Sequence, residues 1–552
     1  MNSFWTATTP NRSGILAVAA AAMACASLGA APAHAGNSTW TAWQAPAGMQ
    51  EAKINAIDAA ASDVAVATDG YGVLTGASGG ATTFKSRADA DVSATTSVND
   101  VAHSGTSLLA ARGGKGGLWK LSQAGSDWLF QSPEASKGEL GAANIDSIWV
   151  DGTRTVVGIV GKGVRVGVNG VFKDYSAGLK SNTVFSVHGA PGASVLFAGT
   201  DGGLARSTDG GATWSFSPQG VVDGNGTKVQ ILKVYVEPTN PSRVWAASSS
   251  DGIYRSGDGG LTFHRANGYG DTEIGDYHVR SFMVHPALPR AMFAGTEKGV
   301  WVSPNLGLAW YQLTKTGLPN DVVRALGMSA ADPLHVYAGT NAGLATLTLE
   351  PVALIDTPKV TGPTGPGGTA QVGDVLTVNP KAHFKGTSPI LTVASWKRCK
   401  KDKPEECETQ KTGNTTTVTA ADTGHTLHAW VKGTNMTPEP LEADSARIKV
   451  PVPGAPVFFS KPTIPTYATV GQALFSLPGG VSGQGVSFAY QWQVCTKIGL
   501  LAQISCFNIS GATSSTYTPT TNAKGAMIRL KVTASNNLGD DVAYSNYSKP
   551  VV

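Results

Sequence analysis

The sequence predicts an all-β protein: a ring of repeated sheets followed by two smaller β modules. Three observations carry that reading. The first two-thirds of the chain repeat at a period of about 45 residues, the length of one four-stranded sheet with its turns. Glycine is plentiful at 67 of 552 residues while charged residues make up only 14%, a balance that favours tight turns and short apolar strands. After Glu350 the composition changes, and a different repeat appears twice.

The N-terminus comes first in the chain and reads as a targeting segment. Arg12 supplies a positive flank, Ile15 to Leu28 is apolar and Ala-rich, and Ala33-His34-Ala35 matches a small-x-small cleavage pattern. Residues 1–35 are therefore expected to be a signal peptide, with the mature chain starting at Gly36. The apolar stretch is too short for a convincing membrane anchor, and no later stretch could span a bilayer. The expectation is an exported protein with no transmembrane segment, whether extracellular, surface-associated or periplasmic. The net charge of +4 is small for this length and gives no reason to expect nucleic acid as a partner. An apolar fraction of 41% suffices for packed cores and argues against disorder.

The ring repeat is plainest from residue 195. Val195-Leu-Phe-Ala-Gly-Thr-Asp-Gly-Gly-Leu204 is followed by Ser207-Thr-Asp-Gly-Gly-Ala-Thr-Trp214. Val244 to Ile253 is followed by Ser256-Gly-Asp-Gly-Gly-Leu-Thr-Phe263, and Met292 to Trp301 by the degenerate Ser303-Pro-Asn-Leu-Gly-Leu-Ala-Trp310. Earlier copies keep the rhythm, with Phe84, Trp128 and Phe172 as aromatic anchors. The last copy, Val322 to Leu349, stops before any such motif, while the mature chain opens on Ser38-Thr-Trp-Thr-Ala-Trp43, the end of a motif without a beginning. The N-terminal strand is thus expected to complete the seventh sheet, giving a seven-bladed β-propeller over 36–350 with its edges hidden. A six-bladed ring with an extra strand pair is the alternative count.

Ser207, Asp209, Gly211, Thr213 and Trp214 fit S-x-D-x-G-x-T-W, and so do Ser256, Asp258, Gly260, Thr262 and Phe263 with Phe for Trp. On these motifs the chain resembles the Asp-box (BNR) propellers, a group that includes sialidases, xyloglucan hydrolases, sortilin-type receptors and photosystem II assembly factors. The resemblance implies fold more than function. The motif is a turn in which Ser and Asp side chains bond backbone amides and the aromatic packs between sheets.

In the C-terminal third, Trp396-Lys-Arg-Cys399 corresponds to Trp492-Gln-Val-Cys495, each followed by a second Cys, at 407 and 506. The two copies, 351–451 and 452–552, resemble the immunoglobulin-like modules of bacterial surface proteins. Each has about the length of a small β-sandwich. The four cysteines left once Cys25 is removed are an even number in an exported chain, which suggests disulfides. The members of each pair are close in sequence, so Cys399–Cys407 and Cys495–Cys506 should staple local hairpins. Trp396 and Trp492 are expected in the cores.

Chemistry in a ring of sheets belongs where the first strands converge. Aligned by the pattern apolar-x-small-apolar, these strands begin at Ile54, Val98, Ile145, Val184, Ile231, Val279 and Val323. Their second positions read Asn55, Asn99, Asp146, Phe185, Leu232, Arg280 and Arg324. Strand alternation would send these side chains one way, to the channel mouth. There, Arg280, Arg324, Asp146, Asn55, Asn99 and Phe185 are the candidate ligand-binding residues, because Arg forks suit carboxylates or polar sugar edges. The loop Gly268 to His278 carries Asp271, Glu273, Asp276 and Tyr277, the weak catalytic candidates.

No metal and no cofactor is expected. His425 and His428 lie three apart on a strand and face opposite sides. Gly113-Gly-Lys-Gly-Gly117 lacks the helix that phosphate binding needs. The F/Y-R-x-P signature of sialidases is missing. The expected function is a binding protein for a glycan or an exported protein. The alternatives are an Asp-box glycoside hydrolase, which needs two facing carboxylates, and an assembly factor for an exported protein.

Overall fold

A computed structural model describes residues 38–49, 51–87, 92, 95–114, 116–122, 128–130, 140, 143–216, 221–222, 226–401, 403–498 and 503–552. The expected signal peptide lies outside the described residues. The chain divides into two compact units, one running up to Glu350 with Thr387–Pro389, the other Pro351–Gly386 with Ile390–Val552.

Among the described residues, the first unit contains seven four-stranded antiparallel sheets. Their first strands are Ile54–Ala59, Val98–Ser104, Ile145–Asp151, Val184–Gly189, Ile231–Val236, Val279–Val284 and Val323–Gly327. Each first strand touches the next, and the seventh touches the first, so the contacts close into a cycle. Six sheets are simple meanders. In the last, the outer strand is the N-terminal Thr41–Ala42, which pairs antiparallel with Gly343–Thr348 through Thr41↔Thr346 and Ala42↔Ala345.

The second strands are mostly buried, and Leu196–Thr200, Val244–Ser248 and Met292–Thr296 are buried along their whole length. The repeated Ala-Gly-Thr within them has a steric origin. A Cβ on Gly199 would lie 2.7 Å from the Ile231 carbonyl oxygen of the next sheet, and one on Gly295 or Gly339 would meet Val323 or Ile54 at 2.7 or 2.4 Å. Only glycine lets the next first strand approach so closely. The threonine that follows bonds back across the hairpin, with Thr200, Thr296 and Thr340 donating to the carbonyls of Gly203, Gly299 and Gly343.

The two strict turn motifs are built alike. Ser207 Oγ accepts the Gly211 amide at 2.9 Å, and Asp209 accepts the Thr213 amide at 2.9 Å. Ser256 and Asp258 do the same for Gly260 and Thr262. In the degenerate motif Ser303 and Asn305 accept from Gly307 and Ala309, and Leu306 takes φ 63°, where the first motif has Gly210 at φ 77°. Ser207 is 1% exposed, so Ser207→Ala strands a buried amide. We expect a loss of about 1–2 kcal/mol in chemical unfolding of the chain.

The aromatic that ends each motif ties one sheet to the one before it. The indole N–H of Trp128 donates to the Arg87 carbonyl, that of Trp214 to Tyr175, and that of Trp310 to Ala266. Trp40 does the same to the Thr314 carbonyl at 2.7 Å. The first tryptophan of the described chain therefore plays the part that the last sheet lacks.

Among the described residues, the second unit holds two hydrophobic clusters. One gathers Leu376, Phe384, Trp396, Leu427, Ala429 and Val431; the other gathers Leu474, Trp492, Ile528, Leu530 and Val532. Both tryptophans are fully buried. The central strand of each main sheet, Leu391–Lys400 or Ser487–Ile498, carries the first cysteine of a pair. Cys399–Cys407 and Cys495–Cys506 are disulfide-bonded across directly paired positions of a hairpin. The basic run from Lys397 is largely neutralised locally, with Lys400 and Lys403 on Glu406 and Arg398 on Glu408.

Candidate functional site

A ring of seven first strands leaves seven unpaired strand edges facing a central channel, and buried edge amides need acceptors. The chain supplies them from the neighbouring sheet. Asp100 Oδ2 accepts the Ile148 amide at 2.7 Å, Ser147 Oγ the Val187 amide at 3.1 Å, and Ser186 Oγ the Val234 amide at 3.1 Å. Two residues further along, Asp58 accepts from His103 and His188 Nδ1 from Val236.

Every first strand breaks register at its second residue. The shifts fall at 54/56, 98/100, 145/147, 184/186, 231/233, 279/281 and 323/325. Asn55, Asn99, Asp146, Phe185, Leu232, Arg280 and Arg324 are thus bulge residues, one per sheet. Simple alternation is not what orients them, as the sequence reading supposed. A bulge re-aims the side chain, and here it does so seven times around one mouth.

The polar members of this ring are linked. Arg324 donates to Asn55 Oδ1 at 3.3 Å, and Asn55 donates to the Val98 carbonyl at 2.9 Å. Asn99 donates to Asp146 Oδ1 at 2.9 Å and to the Ile145 carbonyl at 3.0 Å. Arg280 donates to Glu297 at 2.6 Å. The Nε atoms of Arg280 and Arg324 are buried without a hydrogen-bond partner.

Charge is concentrated at this mouth. Burial, and then the charge of Asp100, raise the Asp146 carboxyl to about 6. Burial also raises Asp100. His188 is pushed down to about 3, first by burial and then by Lys233. Burial and then neighbouring Arg280 lower Arg324. Sequence reasoning missed Asp100, Lys233 and Glu297. The first two occupy the third position of the same strand pattern, whose polar entries Asp100, Ser147, Ser186, Lys233 and Ser281 were the available signal.

The loop 268–278 is anchored rather than free. Ile274 is buried, and the Thr272 carbonyl accepts the Trp310 amide at 2.7 Å. Its acids are committed to local bonds. Asp276 accepts the amides of His278 and Glu297, and Glu273 accepts the Tyr277 hydroxyl at 2.6 Å. Asp271 is exposed. Because Asp276 holds the Glu297 backbone and Glu297 holds Arg280, the loop reaches the mouth through an arginine clamp.

The fold and the site together define an all-β protein with a ring of four-stranded sheets around a polar channel mouth. No family model matches the chain. A curated xyloglucanase from Hypocrea jecorina (strain QM6a) is 28% identical over 153 residues, 26% of this chain and 16% of that protein. The chain therefore matches only about a sixth of the length of that relative. Among solved structures, the WD40 β-propeller domain of Doa1 is 13% identical with a TM-score of 0.43, covering 56% of this chain and 96% of that one. The extracellular domain of the one-component system BT4673 from B. thetaiotaomicron is 8% identical with a TM-score of 0.45, covering 93% and 99%. YCF48 from Cyanidioschyzon merolae is 15% identical with a TM-score of 0.41, covering 56% and 99%.

Proposed function

We propose that this chain is an exported binding protein: a seven-bladed Asp-box β-propeller that captures a polar ligand at its channel mouth, carried on two immunoglobulin-like modules at 351–451 and 452–552. The observation behind it is the pair Arg280 and Arg324 on adjacent sheets, each with a buried, unpartnered Nε. A buried donor without an acceptor costs roughly 1–3 kcal/mol, a cost that a ligand oxygen in the mouth would remove. Fork donors with Asn55, Asn99 and the Phe185 wall suit the hydroxyls and carboxylates of a glycan, or an acidic segment of an exported protein. Two disulfides fit an oxidising compartment and support reading residues 1–35 as an export signal. No helix among the described residues is long and apolar enough to cross a membrane.

A second reading is a glycoside hydrolase, favoured by the stretch shared with a xyloglucanase. It would use Asp146 with an acid of the 271–276 loop. The committed hydrogen bonds of Glu273 and Asp276 count against it.

One experiment separates the two. A glycan array and a xyloglucan hydrolysis assay are run on the mature chain and on an Arg280→Ala/Arg324→Ala variant. We expect binding that weakens at least about tenfold in the variant, the loss of one or two charge-assisted bonds, with no product formed. Release of oligosaccharides by the wild type, lost in Asp146→Asn, would replace the binding reading with the hydrolase.

A further inference from the structure

The two disulfides of the second unit look equivalent, yet their surroundings differ in one respect that bears on chemistry. Each joins directly opposed strands, each has a fully buried first cysteine, and each second cysteine is partly exposed. Beside Cys495–Cys506, the residue two places along from the cross-strand partner Met527 is Arg529, which spends its guanidinium on Gln493 at 2.7 and 3.0 Å. Beside Cys399–Cys407 the matching place, two along from Thr426, is His428. His428 is 3% exposed, with Nδ1 3.5 Å from Cys399 Sγ and Nε2 3.3 Å from Asp444 Oδ1. Thr426 itself, directly opposite Cys399, has a buried hydroxyl with no partner.

We propose that Cys399–Cys407 is a thiol–disulfide exchange site that reacts with an external dithiol, Cys399 being the leaving sulfur and His428 its proton acceptor. Nε2 lies 3.3 Å from Asp444 Oδ1, and with the proton on Nε2 the Nδ1 lone pair faces Cys399 at 3.5 Å. Both partners only accept, and the carboxylate is the much stronger acceptor, which favours the proton on Nε2. Burial keeps the imidazole neutral at rest, and Asp444, Lys397 and Arg447 are the charged groups that act on it. Access is from the Cys407 side. Cys407 lines a pocket of about 400 Å³ with Arg398, Lys400, Glu406, Glu408 and His425.

The step balances as follows. One thiol of the dithiol attacks Cys407 Sγ and forms a mixed disulfide. The Cys399–Cys407 bond breaks, and its electron pair leaves on Cys399. The attacking thiol's proton ends on His428 Nδ1, giving a thiolate–imidazolium pair to which the Thr426 hydroxyl can donate. The second thiol of the dithiol then attacks its partner sulfur and releases Cys407, which takes the second proton. The dithiol is oxidised to a disulfide, and the protein disulfide is reduced to two thiols. A leaving thiol with a lowered pKa leaves faster, and a paired imidazolium lowers it. Among the described residues, no histidine stands beside Cys495 in the same way.

The twin disulfide is an internal control. The intact chain is treated with dithiothreitol, quenched at intervals and alkylated, and each pair is followed by mass spectrometry. We expect Cys399–Cys407 to open at least about tenfold faster than Cys495–Cys506. His428→Gln and Asp444→Asn should slow only the first pair. Equal opening rates in the wild type, which need no variant to fold, would overturn the proposal. So would a His428→Gln chain that keeps the rate difference while its Cys495–Cys506 rate is unchanged.

Discussion

Replacing Trp40 with alanine is expected to cost the first unit about 3–5 kcal/mol, the range for a large buried aromatic. The reason lies in where the residue acts. Trp40 is 3% exposed, its indole donates to the Thr314 carbonyl, and its backbone amide bonds Thr316 at 2.9 Å. A Cβ on Gly317 would lie 1.8 Å from the Trp40 carbonyl oxygen, so the chain there is shaped around this residue. Trp43 adds an edge-on contact with Phe84 at 6.1 Å. These contacts join the seventh sheet to both of its neighbours. Loss of Trp40 should therefore lower the denaturant midpoint of the whole unit in a single transition. If only local fraying followed, with the midpoint unmoved, the strand would be an accessory and the ring would close without it.

The second expected result is that Asp146→Asn stabilises the protein near neutral pH. The folded carboxyl sits at about 6 against an ordinary 3.8, because burial and Asp100 oppose its charge. A raised carboxylate pKa makes ionisation costly in the folded state. The cost is absent below about pH 4, grows between 4 and 6, and is complete above 6. Two units correspond to up to about 3 kcal/mol, nearer 2 after solvent screening in an open mouth. An asparagine oxygen can still accept from Asn99, so the hydrogen bond survives. Urea unfolding at pH 4 and pH 8 should show the two proteins equal at the lower value and the variant ahead at the higher. Equal stability at both would mean that Asp146 is solvated at its ordinary pKa.

What could be read from the sequence and what could not divide along physical lines. The Ser-x-Asp-x-Gly turns and their aromatic anchors are local, so residues 207–214 and 256–263 announce their own hydrogen bonds. The N-terminal strand was legible by subtraction, because the final repeat lacks an aromatic that Trp40 supplies. The bulges were not legible. A register shift at Asn55 or Phe185 depends on how each first strand seats against the neighbouring sheet, and no local pattern encodes that. The roles of Asp100, Ser147 and Ser186 were hidden for the same reason, since each bonds an amide more than 35 residues away. His428 beside Cys399 is a cross-strand meeting of residues 29 apart. Sequence spacing showed a histidine facing away from His425 and nothing more.

The pairing of Thr41 with Thr346 also has a meaning in time. The strand that closes the ring is made before the other strands of the ring, and its partner follows roughly 300 residues later. Bringing ends that far apart together costs about 3 kcal/mol more than forming a ten-residue hairpin, since closure entropy grows only as the logarithm of length. The thermodynamic cost is modest; the kinetic one is not, because non-local pairing is slow to form. Until closure, Gly343–Thr348 presents an open edge of the kind that recruits other chains. Folding of the first unit is therefore most exposed to aggregation at ring closure, the step that its other sheets can precede.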